Sequence, residues 1–334
     1  MKALVVGGGS IGARHLQNLR ALGIGTVGVV EIDEGRRSAL SKDCNAIGFE
    51  TLEDGLDWSP DFAVIASPTY LHAEQALQAA RSDCHLFIEK PLSHTEAGLE
   101  VLQKEIARRN LITLVGCNMR FHPGPARVKE LLEHNAIGRI LFARVHTGSY
   151  LPEWRPGQDY LKSYSANASM GGGCILDCIH EIDLTRWYLG EMEDVFCRAE
   201  HLSSMKMDVE DVAILVCKHS GGALSEIHLD YVQRTYERGC QIVGDKGSIF
   251  WDYRQGQVRW FDASLDQWKT FCQMDGWKVN QMYVDEMAHY LRCLETGAAT
   301  TLPVDDAIRL MEATFSARRS AATGCMIRIG KRRD

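Results

Sequence analysis

Short apolar runs alternate with segments of helical periodicity through the first third of the chain. The apolar runs predict buried strands at 2–6, 26–30, 62–66, 85–88 and 111–116. The intervening segments predict helices at 13–22, 35–41, 73–80 and, from a cap at Ser93 or Thr95, to about 108. Strands that alternate with helices form a parallel sheet with helices on both faces, and ligands bind at the carboxyl ends of its strands.

The pattern changes after about residue 120. A helix at 124–134 and a strand at 140–147 precede a long polar and aromatic loop, 150–170, and a helix at 175–189. Strand patterns then dominate, at 195–199, 213–218, 223–231, 238–243, 247–252 and 257–261. The short turns between these strands favour an antiparallel sheet. Two helices, 281–295 and 305–321, close the chain.

A glycine-rich loop follows the first strand and precedes the first helix. Gly7, Gly9 and Gly12 have the G-x-G-x-x-G spacing of a dinucleotide-binding loop. The first glycine allows the tight turn, the second the approach of a pyrophosphate, and the third close packing of the helix on the strand. Ser10 and Ile11 lie within the motif and are predicted to contact the cofactor, and the N-terminus of the helix that follows attracts phosphates through its N–H groups and its dipole. The motif therefore predicts a Rossmann domain.

An acidic residue, Glu31, ends the second apolar run, about twenty residues after the glycine loop. In this fold such an acid accepts hydrogen bonds from the adenosine ribose hydroxyls and repels a 2′-phosphate. Glu31 therefore predicts NAD as the cofactor. Arg36 and Arg37 follow closely and suit a 2′-phosphate, so the sequence leaves NADP open.

Composition narrows the classes of partner. A chain of 334 residues is long enough for two domains. Its net charge of −7 argues against binding to nucleic acid or to an anionic membrane surface, and no apolar run approaches the length of a membrane span. The basic cluster at 331–333 is expected to be a solvated tail. The first strand begins at Lys2, which leaves no room for a signal peptide.

The cysteines favour a reducing compartment. There are eleven, without a C-x-x-C pair, which predicts free thiols and a cytoplasmic protein. Cys174 and Cys178 are close in sequence, but we expect them to fill the core. No spacing of histidines and cysteines is typical of a zinc site, so no metal is predicted.

Five stretches together resemble the glucose–fructose oxidoreductase, inositol dehydrogenase and rhizopine catabolism (Gfo/Idh/MocA) family. They are residues 6–15, 66–72, 88–92, 116–121 and 172–184, in the expected order. The resemblance implies an NAD(P)-binding Rossmann domain, 1–120, and an α+β domain, 121–334, with a mostly antiparallel sheet flanked by helices. The resemblance also allows the last helix to pack against the first domain. Family members are commonly homodimers or homotetramers through the second sheet.

The same resemblance implies which residues line the cofactor. Ser67, Thr69 and His72 are expected along it, and Glu89 beside its nicotinamide half. Asn118 follows the last strand of the first domain and belongs to the same edge of the sheet.

Three residues are candidates for catalysis. Lys90 follows a strand, where its ammonium group can hydrogen-bond the reacting oxygen and stabilise alkoxide charge; a cis peptide before Pro91 would fix its direction. His180 is the natural acid and base. Asp177 precedes it by three residues, so the two are expected on one side of a helix. The family pattern more often has a spacing of four, so this chain departs from it by one, and two roles stay open for Asp177: to orient the imidazole or to bind a substrate hydroxyl.

The polar and aromatic loop supplies candidates for the substrate pocket. They are Arg120, which lies before it, and Trp154, Arg155, Tyr160 and Tyr164 within it. Aromatic faces suit the C–H surfaces of sugars, and arginines suit phosphate or carboxylate. The tract from 150 to 166 is similar to a subgroup associated with sugar pathways of surface polysaccharides.

The sequence thus predicts an NAD(P)-dependent oxidoreductase that acts on a secondary hydroxyl or ketone of a sugar, sugar nucleotide or cyclitol. Two alternatives stay open. One is an NAD-dependent glycosidase, in which transient oxidation assists the departure of a leaving group. The other is a non-catalytic sensor of NAD(P) on the same fold, because a fold does not determine a function.

Overall fold

The structure is a computed structural model and describes residues 1–155 and 157–330. The predicted basic tail, 331–333, lies outside these residues. The chain forms two compact units. The first contains Met1–Asn118 and Lys278–Met311, and the second contains Met119–Trp277 and the segment that begins at Glu312. Residues 278–311, which the bounds implied by the resemblance assigned to the second domain with the option that the last helix packs on the first, belong to the first unit.

The first unit is a doubly wound α/β sheet with helices between its strands. Its elements up to residue 118 are β1 (Lys2–Val6), α1 (Ser10–Ala21), β2 (Thr26–Val30), α2 (Glu34–Asp43), β3 (Ile47–Phe49), α3 (Leu52–Asp57), β4 (Phe62–Ile65), α4 (His72–Arg81), β5 (His85–Glu89), α5 (Leu99–Arg109) and β6 (Thr113–Gly116). The six strands are parallel, in the order β3-β2-β1-β4-β5-β6. The order reverses between β1 and β4, which is where this fold binds a dinucleotide.

Two details of the first unit differ from the sequence prediction. The short elements β3 and α3 were not predicted, because three and six residues carry too little periodicity. The predicted cap of α5 at Ser93 or Thr95 is wrong. Ser93 Oγ accepts the Thr95 N–H at 3.2 Å in a local turn, and α5 begins only after Gly98, whose φ is 81°.

The second unit is built on a large antiparallel sheet. Its elements up to residue 277 are α6 (Pro123–Glu133), β7 (Ile140–Gly148), α7 (Cys174–Asp177), α8 (Ile179–Leu189), β8 (Met192–Glu200), β9 (Val212–His219), β10 (Leu224–Asp230), β11 (Glu237–Gly244), β12 (Gly247–Asp252), β13 (Gln257–Asp262) and β14 (Gln267–Cys272). The order is β14-β13-β12-β11-β7-β10-β9-β8. Only β7 and β10 pair in parallel among these strands.

The two faces of this sheet have different surroundings. Helix α8 packs on β7 and β10, and α6 packs on β12 and β13. In β9 the side chains alternate, so that Leu215 and Cys217 are buried whereas Ile214 and Val216 are exposed. This alternation leaves an apolar outer face on the sheet.

The predicted helix over 175–189 is two helices. Cys178, with ψ of 31°, separates α7 from α8. Asp177 is therefore the last residue of α7, and His180 is the second residue of α8. The expectation that a single helix carries both side chains on one side is wrong.

The last segment contains α9 (Asn280–Thr296), α10 (Val304–Thr323) and β15 (Ile327–Arg328). Helix α9 packs on α1, and the ring of Tyr290 meets the edges of Phe62 and Phe87 in the core of the first unit. The strand β15, like β14, was not predicted; it pairs with β8. No helix within the described residues is long and apolar enough to cross a bilayer.

Candidate cofactor and substrate sites

The glycine loop between β1 and α1 has the geometry of a phosphate-binding turn. Gly7 has a φ of 99°, which side chains disfavour, and its N–H bonds to the Val30 carbonyl at 2.9 Å. A Cβ on Gly12 would overlap the Gly7 carbonyl oxygen. A Cβ on Gly9 would meet no atom of the described residues within 4 Å, so the loop is open at this point. Ser10 and Ile11 follow as the first residues of α1.

Glu31 lies beside this loop, at the end of β2. Its Oε2 accepts the Gly8 N–H at 3.0 Å and its Oε1 accepts the Asp33 N–H at 3.0 Å. Arg36 pairs with the same carboxylate at 3.2 Å. Arg37 donates to the Glu31 carbonyl at 2.6 Å. Arg36 and Arg37, the two arginines that suit a 2′-phosphate, are thus partly engaged by Glu31 itself, which favours NAD.

The turn after β4 contains the next predicted cofactor residues. Ser67 donates from Oγ to Gln75 at 2.6 Å, and Thr69 is buried at the start of a 3₁₀ turn. His72 is buried, with Nδ1 at 2.9 Å from the Pro91 carbonyl oxygen and Nε2 at 2.8 Å from that of Ser67. Burial lowers the pKa of His72 against the opposing effect of both carbonyls. His72 therefore ties two turns together, and we assign it an indirect role toward the cofactor.

Glu89 and Lys90 end strand β5. Glu89 is buried and pairs with His15 of α1 at 2.6 Å, whereas Lys90 is half-buried. The Lys90–Pro91 peptide is cis, as the sequence analysis anticipated. Asn118 follows β6, next to β5 in the sheet, and is buried. All the cofactor residues predicted from the sequence thus lie at the carboxyl edge of one sheet or in the turns beside it.

This edge fits a dinucleotide. The loop has open space where a Cβ at Gly9 would stand, and no side chain among the described residues caps the first turn of α1. Such a helix N-terminus binds phosphate groups. Glu31 supplies the carboxylate that the ribose hydroxyls require. Within the described residues no group of three or more metal-ligating side chains occurs.

In the second unit, Asp177 is the centre of a buried hydroxyl network. Tyr164 donates to its Oδ1 at 3.0 Å, and Ser165 and Tyr231 donate to its Oδ2 at 2.6 and 3.2 Å. Each hydrogen bond to a charged group contributes about 1.5–3 kcal/mol. Asp177 therefore anchors the loop 150–170 on α7 and on the end of β10. Tyr164, which was predicted to line the substrate pocket, is a hydrogen-bond donor in this network.

Two buried ion pairs hold helix α8. Arg120 binds Asp183 through two parallel bonds of 2.8 and 2.6 Å, and Arg238 binds Glu181 at 2.7 Å. The Glu181 charge raises the pKa of Arg238 against the opposing effect of burial, so this arginine stays charged. Glu181 and Asp183 follow His180, the predicted acid and base, in the first turns of the same helix. We therefore assign Arg120, predicted to bind substrate, to the fixation of α8.

The remaining candidates lie at a pocket of about 460 Å³ in the loop of the second unit. Trp154, Arg155 and Tyr160 line it, together with Asp159 and Lys162. The Trp154 indole donates to Ser149 at 2.6 Å and meets the edge of Tyr231. The pocket thus presents aromatic faces and basic groups beside a single carboxylate, which suits a sugar that carries an anionic group.

Three residues of these sites were missed by the sequence analysis. They are Tyr231, Arg238 and Tyr283. Tyr231 donates to Asp177, and Arg238 pairs with Glu181. The ring centre of Tyr283 lies 4.4 Å from the Arg14 guanidinium. Tyr231 is the last residue of the predicted strand 223–231, so the sequence did indicate that it lies at a strand end. Arg238 and Tyr283 lie far from every motif, and only the fold brings them to these positions.

Comparison with known proteins gives concordant results over both units. Residues 1–117 match the oxidoreductase family with an NAD-binding Rossmann fold, and residues 126–250 match the Gfo/Idh/MocA C-terminal domain. The chain is 27% identical over 335 residues to the myo-inositol 2-dehydrogenase of Thermotoga maritima, covering 96% of each chain. It is 30% identical over 256 residues to inositol 2-dehydrogenase 2 of Saccharopolyspora erythraea, covering 73% of this chain and 71% of that protein.

The fold has close counterparts among solved structures. A levoglucosan dehydrogenase in complex with NADH and levoglucosan superimposes with a TM-score of 0.90 at 20% identity. The match covers 99% of this chain and 100% of that chain. At this identity the likeness establishes the architecture of both units.

Proposed function

Because the chain belongs to the Gfo/Idh/MocA family of NAD-binding oxidoreductases, we propose that it transfers a hydride between NAD and a secondary hydroxyl or ketone of a sugar, sugar nucleotide or cyclitol. The observation that carries the proposal is the placement of Lys90 at the carboxyl end of β5, on the edge that holds the glycine loop and Glu31. A sensor of NAD needs no lysine at that position.

The substrate class follows from the pocket and from the relatives. Relatives of this chain are named as dehydrogenases of inositol and levoglucosan, which are polyols and sugars with secondary hydroxyls. The pocket of the second unit offers Trp154 and Tyr160 for sugar faces and Arg155 for a phosphate or carboxylate. A sugar nucleotide or an acidic sugar of a surface-polysaccharide pathway fits this combination.

The residues divide the chemistry between them. NAD, when bound, accepts or supplies the hydride. Lys90 hydrogen-bonds the substrate oxygen and stabilises the charge that develops on it. His180 takes the proton of the hydroxyl during oxidation and returns it during reduction. Asp177 supports His180 indirectly, because it anchors the loop whose residues line the pocket.

We also propose that copies of the chain associate through the outer face of the second sheet. Phe142, Phe196, Ile214, Val216 and Leu224 are exposed there on four adjacent strands, β7 to β10. Several exposed large apolar side chains on neighbouring strands of one face are typical of an interface. Val216→Glu is expected to halve the mass measured by light scattering, whereas Leu265→Glu, in an exposed turn, leaves it unchanged. An unchanged mass for Val216→Glu would remove this proposal.

The free cysteines support a cytoplasmic location. All eleven lack a disulfide partner, and nine of them are buried. We propose that the protein works in a reducing compartment. Labelling of its thiols in whole cells and in isolated cytoplasm tests this proposal.

The enzymatic proposal is tested by the absorbance of reduced nicotinamide. The purified protein is mixed with NAD and, separately, NADP against a panel of inositols, sugars and nucleotide-activated sugars. We expect turnover of one class with NAD. His180→Ala should lower kcat/KM by about 10²–10⁴-fold and Lys90→Ala by about 10²–10³-fold. Lys104→Ala, at an exposed lysine of α5, is the control.

Other results would identify the alternatives. Release of a free sugar without net NADH would indicate a glycosidase that returns its cofactor unchanged. Binding of NADH without turnover of any compound, together with full biological activity of Lys90→Ala, would indicate a sensor.

A further inference from the structure

His180 lies between two anchored helix ends in the second unit. Helix α7 ends at Asp177, which accepts hydrogen bonds from hydroxyl groups of the loop and of Tyr231. Helix α8 begins at Ile179, and Cys178 before it supplies no side-chain cap. Helix ends without a side-chain cap fray more readily than capped ones. The position of His180, the second residue of α8, therefore depends on the contacts that hold the first turn of this helix.

Glu181 ties this first turn to strand β11. Its Oε1 lies 2.7 Å from Nε of Arg238, and its Oε2 accepts a hydrogen bond from Nη2 at 3.1 Å. The Glu181 side chain is fully buried, and that of Arg238 is 12% exposed. Arg238 pairs in the sheet with the buried Thr147 of β7, so it points to the face that α8 covers. A two-point bond of this kind fixes both the distance and the orientation of the turn on the strand.

The surroundings of Arg238 fix the guanidinium without adding charge. Its Nη1 lies 3.2 Å from the sulfur of Met119, and its central carbon lies 5.9 Å from the ring centre of Tyr236. Burial raises the pKa of Tyr236 to about 12. Burial, followed by the charge of Arg238, lowers the pKa of His122 to about 4. Both neighbours are therefore neutral near pH 7, and the charge of Arg238 is balanced by Glu181.

The elements packed on α8 bring further charged groups, each with a partner of its own. Arg120 binds Asp183, Asp177 binds three hydroxyls, Lys129 of α6 binds the Trp187 carbonyl, and Asp230 at the end of β10 binds His228. The buried positions of β7 and β10 under the helix carry uncharged side chains at Ala143, Val145, Thr147, Ser225, Ile227 and Leu229. The ion pair of the first turn differs from the others in position, because one of its members is the residue next to the predicted base.

We propose that Arg238 and Glu181 are positioning residues for His180: their ion pair holds the first turn of α8 on the sheet and leaves no net charge next to the imidazole. The inference rests on the proposed role of His180 as the acid and base. An unbalanced arginine charge at this place would disfavour the imidazolium, and an unbalanced carboxylate would favour it. The pair thus keeps the proton affinity of the imidazole free of either effect.

The test follows the protonation of His180 in the full-length protein by NMR. Histidines are isotope-labelled at Cε1, and the signal of His180 is identified by its loss in His180→Gln. In Glu181→Gln the arginine charge stays without its partner, and the pKa of His180 should fall by about one unit. Arg238→Gln, which leaves the carboxylate instead, should raise it. The double variant Glu181→Gln with Arg238→Gln should return to the wild-type value, because neither charge remains.

The matched control is Arg186→Gln. Arg186 pairs with Glu191 at 2.5 Å at the other end of α8, and its loss should leave the pKa of His180 unchanged. Shifts of opposite sign in the two single variants, cancelled in the double variant, are not expected of a pair that only stabilises the fold. An unchanged pKa of His180 in both single variants, or a double variant shifted as far as Glu181→Gln, would overturn the proposal.

The titration does not depend on a known substrate. Absence of turnover on every compound would contradict the proposed function and leave the measured pKa values intact. Where turnover is found, the acid limb of the kcat/KM profile of Glu181→Gln should move to lower pH by the same amount as the pKa of His180, because the base then loses its proton at lower pH. An acid limb that stays in place while the pKa moves would also overturn the proposal.

Discussion

The imidazole Nε2 of His15 lies 2.6 Å from Oε1 of Glu89 in the core of the first unit. His15 belongs to the helix that follows the glycine loop, and Glu89 immediately precedes Lys90. The His15 side chain is fully buried, and its ring meets the edge of Phe87 at 5.0 Å. The pair therefore links the phosphate-binding helix directly to the strand end that carries the predicted catalytic lysine.

Loss of this link should destabilise the first unit. His15→Phe keeps a ring of similar size but removes the nitrogen that Glu89 contacts. We expect the free energy of unfolding to fall by about 3 kcal/mol, because a buried carboxylate then lacks its partner. Urea denaturation measures this change. His134→Phe, at an exposed histidine, is the control, and equal stabilities of the two variants would contradict the assignment.

The Arg120–Asp183 pair should behave as a buried ion pair. Arg120→Met leaves Asp183 without its two short bonds, and we expect a loss of about 3–5 kcal/mol in unfolding free energy. The double variant Arg120→Met with Asp183→Leu should lose less, because no charge stays buried. If the double variant were the less stable in urea, the pair would not act as a coupled unit.

Asp177 should control the order of the substrate loop. Asp177→Ala removes the acceptor of three hydroxyls, so we expect faster cleavage by trypsin after Lys162, an exposed lysine in that loop. Tyr164→Phe, which removes one donor, should have an intermediate effect. The cleavage site and rate are read by mass spectrometry. A rate equal to that of the wild type would show that other contacts hold the loop.

Glu31 should determine the choice of cofactor. Glu31→Ser removes the charge that opposes a 2′-phosphate and releases Arg36 from its ion pair. We expect the ratio of NADPH to NADH dissociation constants to fall at least about tenfold, the effect of 1.4 kcal/mol. Arg36→Ala in the same background should reverse part of this change. A ratio that stays constant would assign the selectivity to residues other than Glu31.

The low pKa of His122 should make the folded protein less stable at acidic pH. Burial, followed by the charge of Arg238, lowers the pKa of His122 to about 4. Unfolding restores an ordinary pKa near 6.5, so the unfolded chain binds a proton that the folded chain refuses. The contribution to stability is present above pH 6.5 and is lost as the pH falls from 6.5 toward 4, by about 2–3 kcal/mol near pH 4.5.

Substitution of His122 tests this prediction. His122→Phe preserves a ring among Trp251, Tyr253 and Trp277 but cannot be protonated. The drop in unfolding free energy between pH 7 and pH 4.5 should be about 2–3 kcal/mol smaller than in the wild type. His134→Phe should retain the full drop, and a full drop in His122→Phe would assign the acid sensitivity to other groups.

Periodicity and local motifs in the sequence alone predicted much of the fold and the cofactor of this protein. The strands of the first unit from Lys2–Val6 to Thr113–Gly116 were predicted except for β3, because a buried parallel strand is a short apolar run between turns. Family membership and NAD binding were predicted as well, and the family comparisons confirm both. Glycine loops and strand-end acids are local signals, since their function depends on neighbours in sequence.

The tertiary structure decided what distant residues do. The break at Cys178 placed Asp177 and His180 on separate helices, although the sequence shows one apolar pattern through both. Arg120 was predicted to bind substrate from its place in a motif, whereas its pairing with Asp183, 63 positions away, appears only in the fold. Tyr283 stacks with Arg14 of α1 only because α9 returns to the first unit. Ion pairs and hydrogen bonds between distant segments depend on the final packing, and no periodicity along the chain records them.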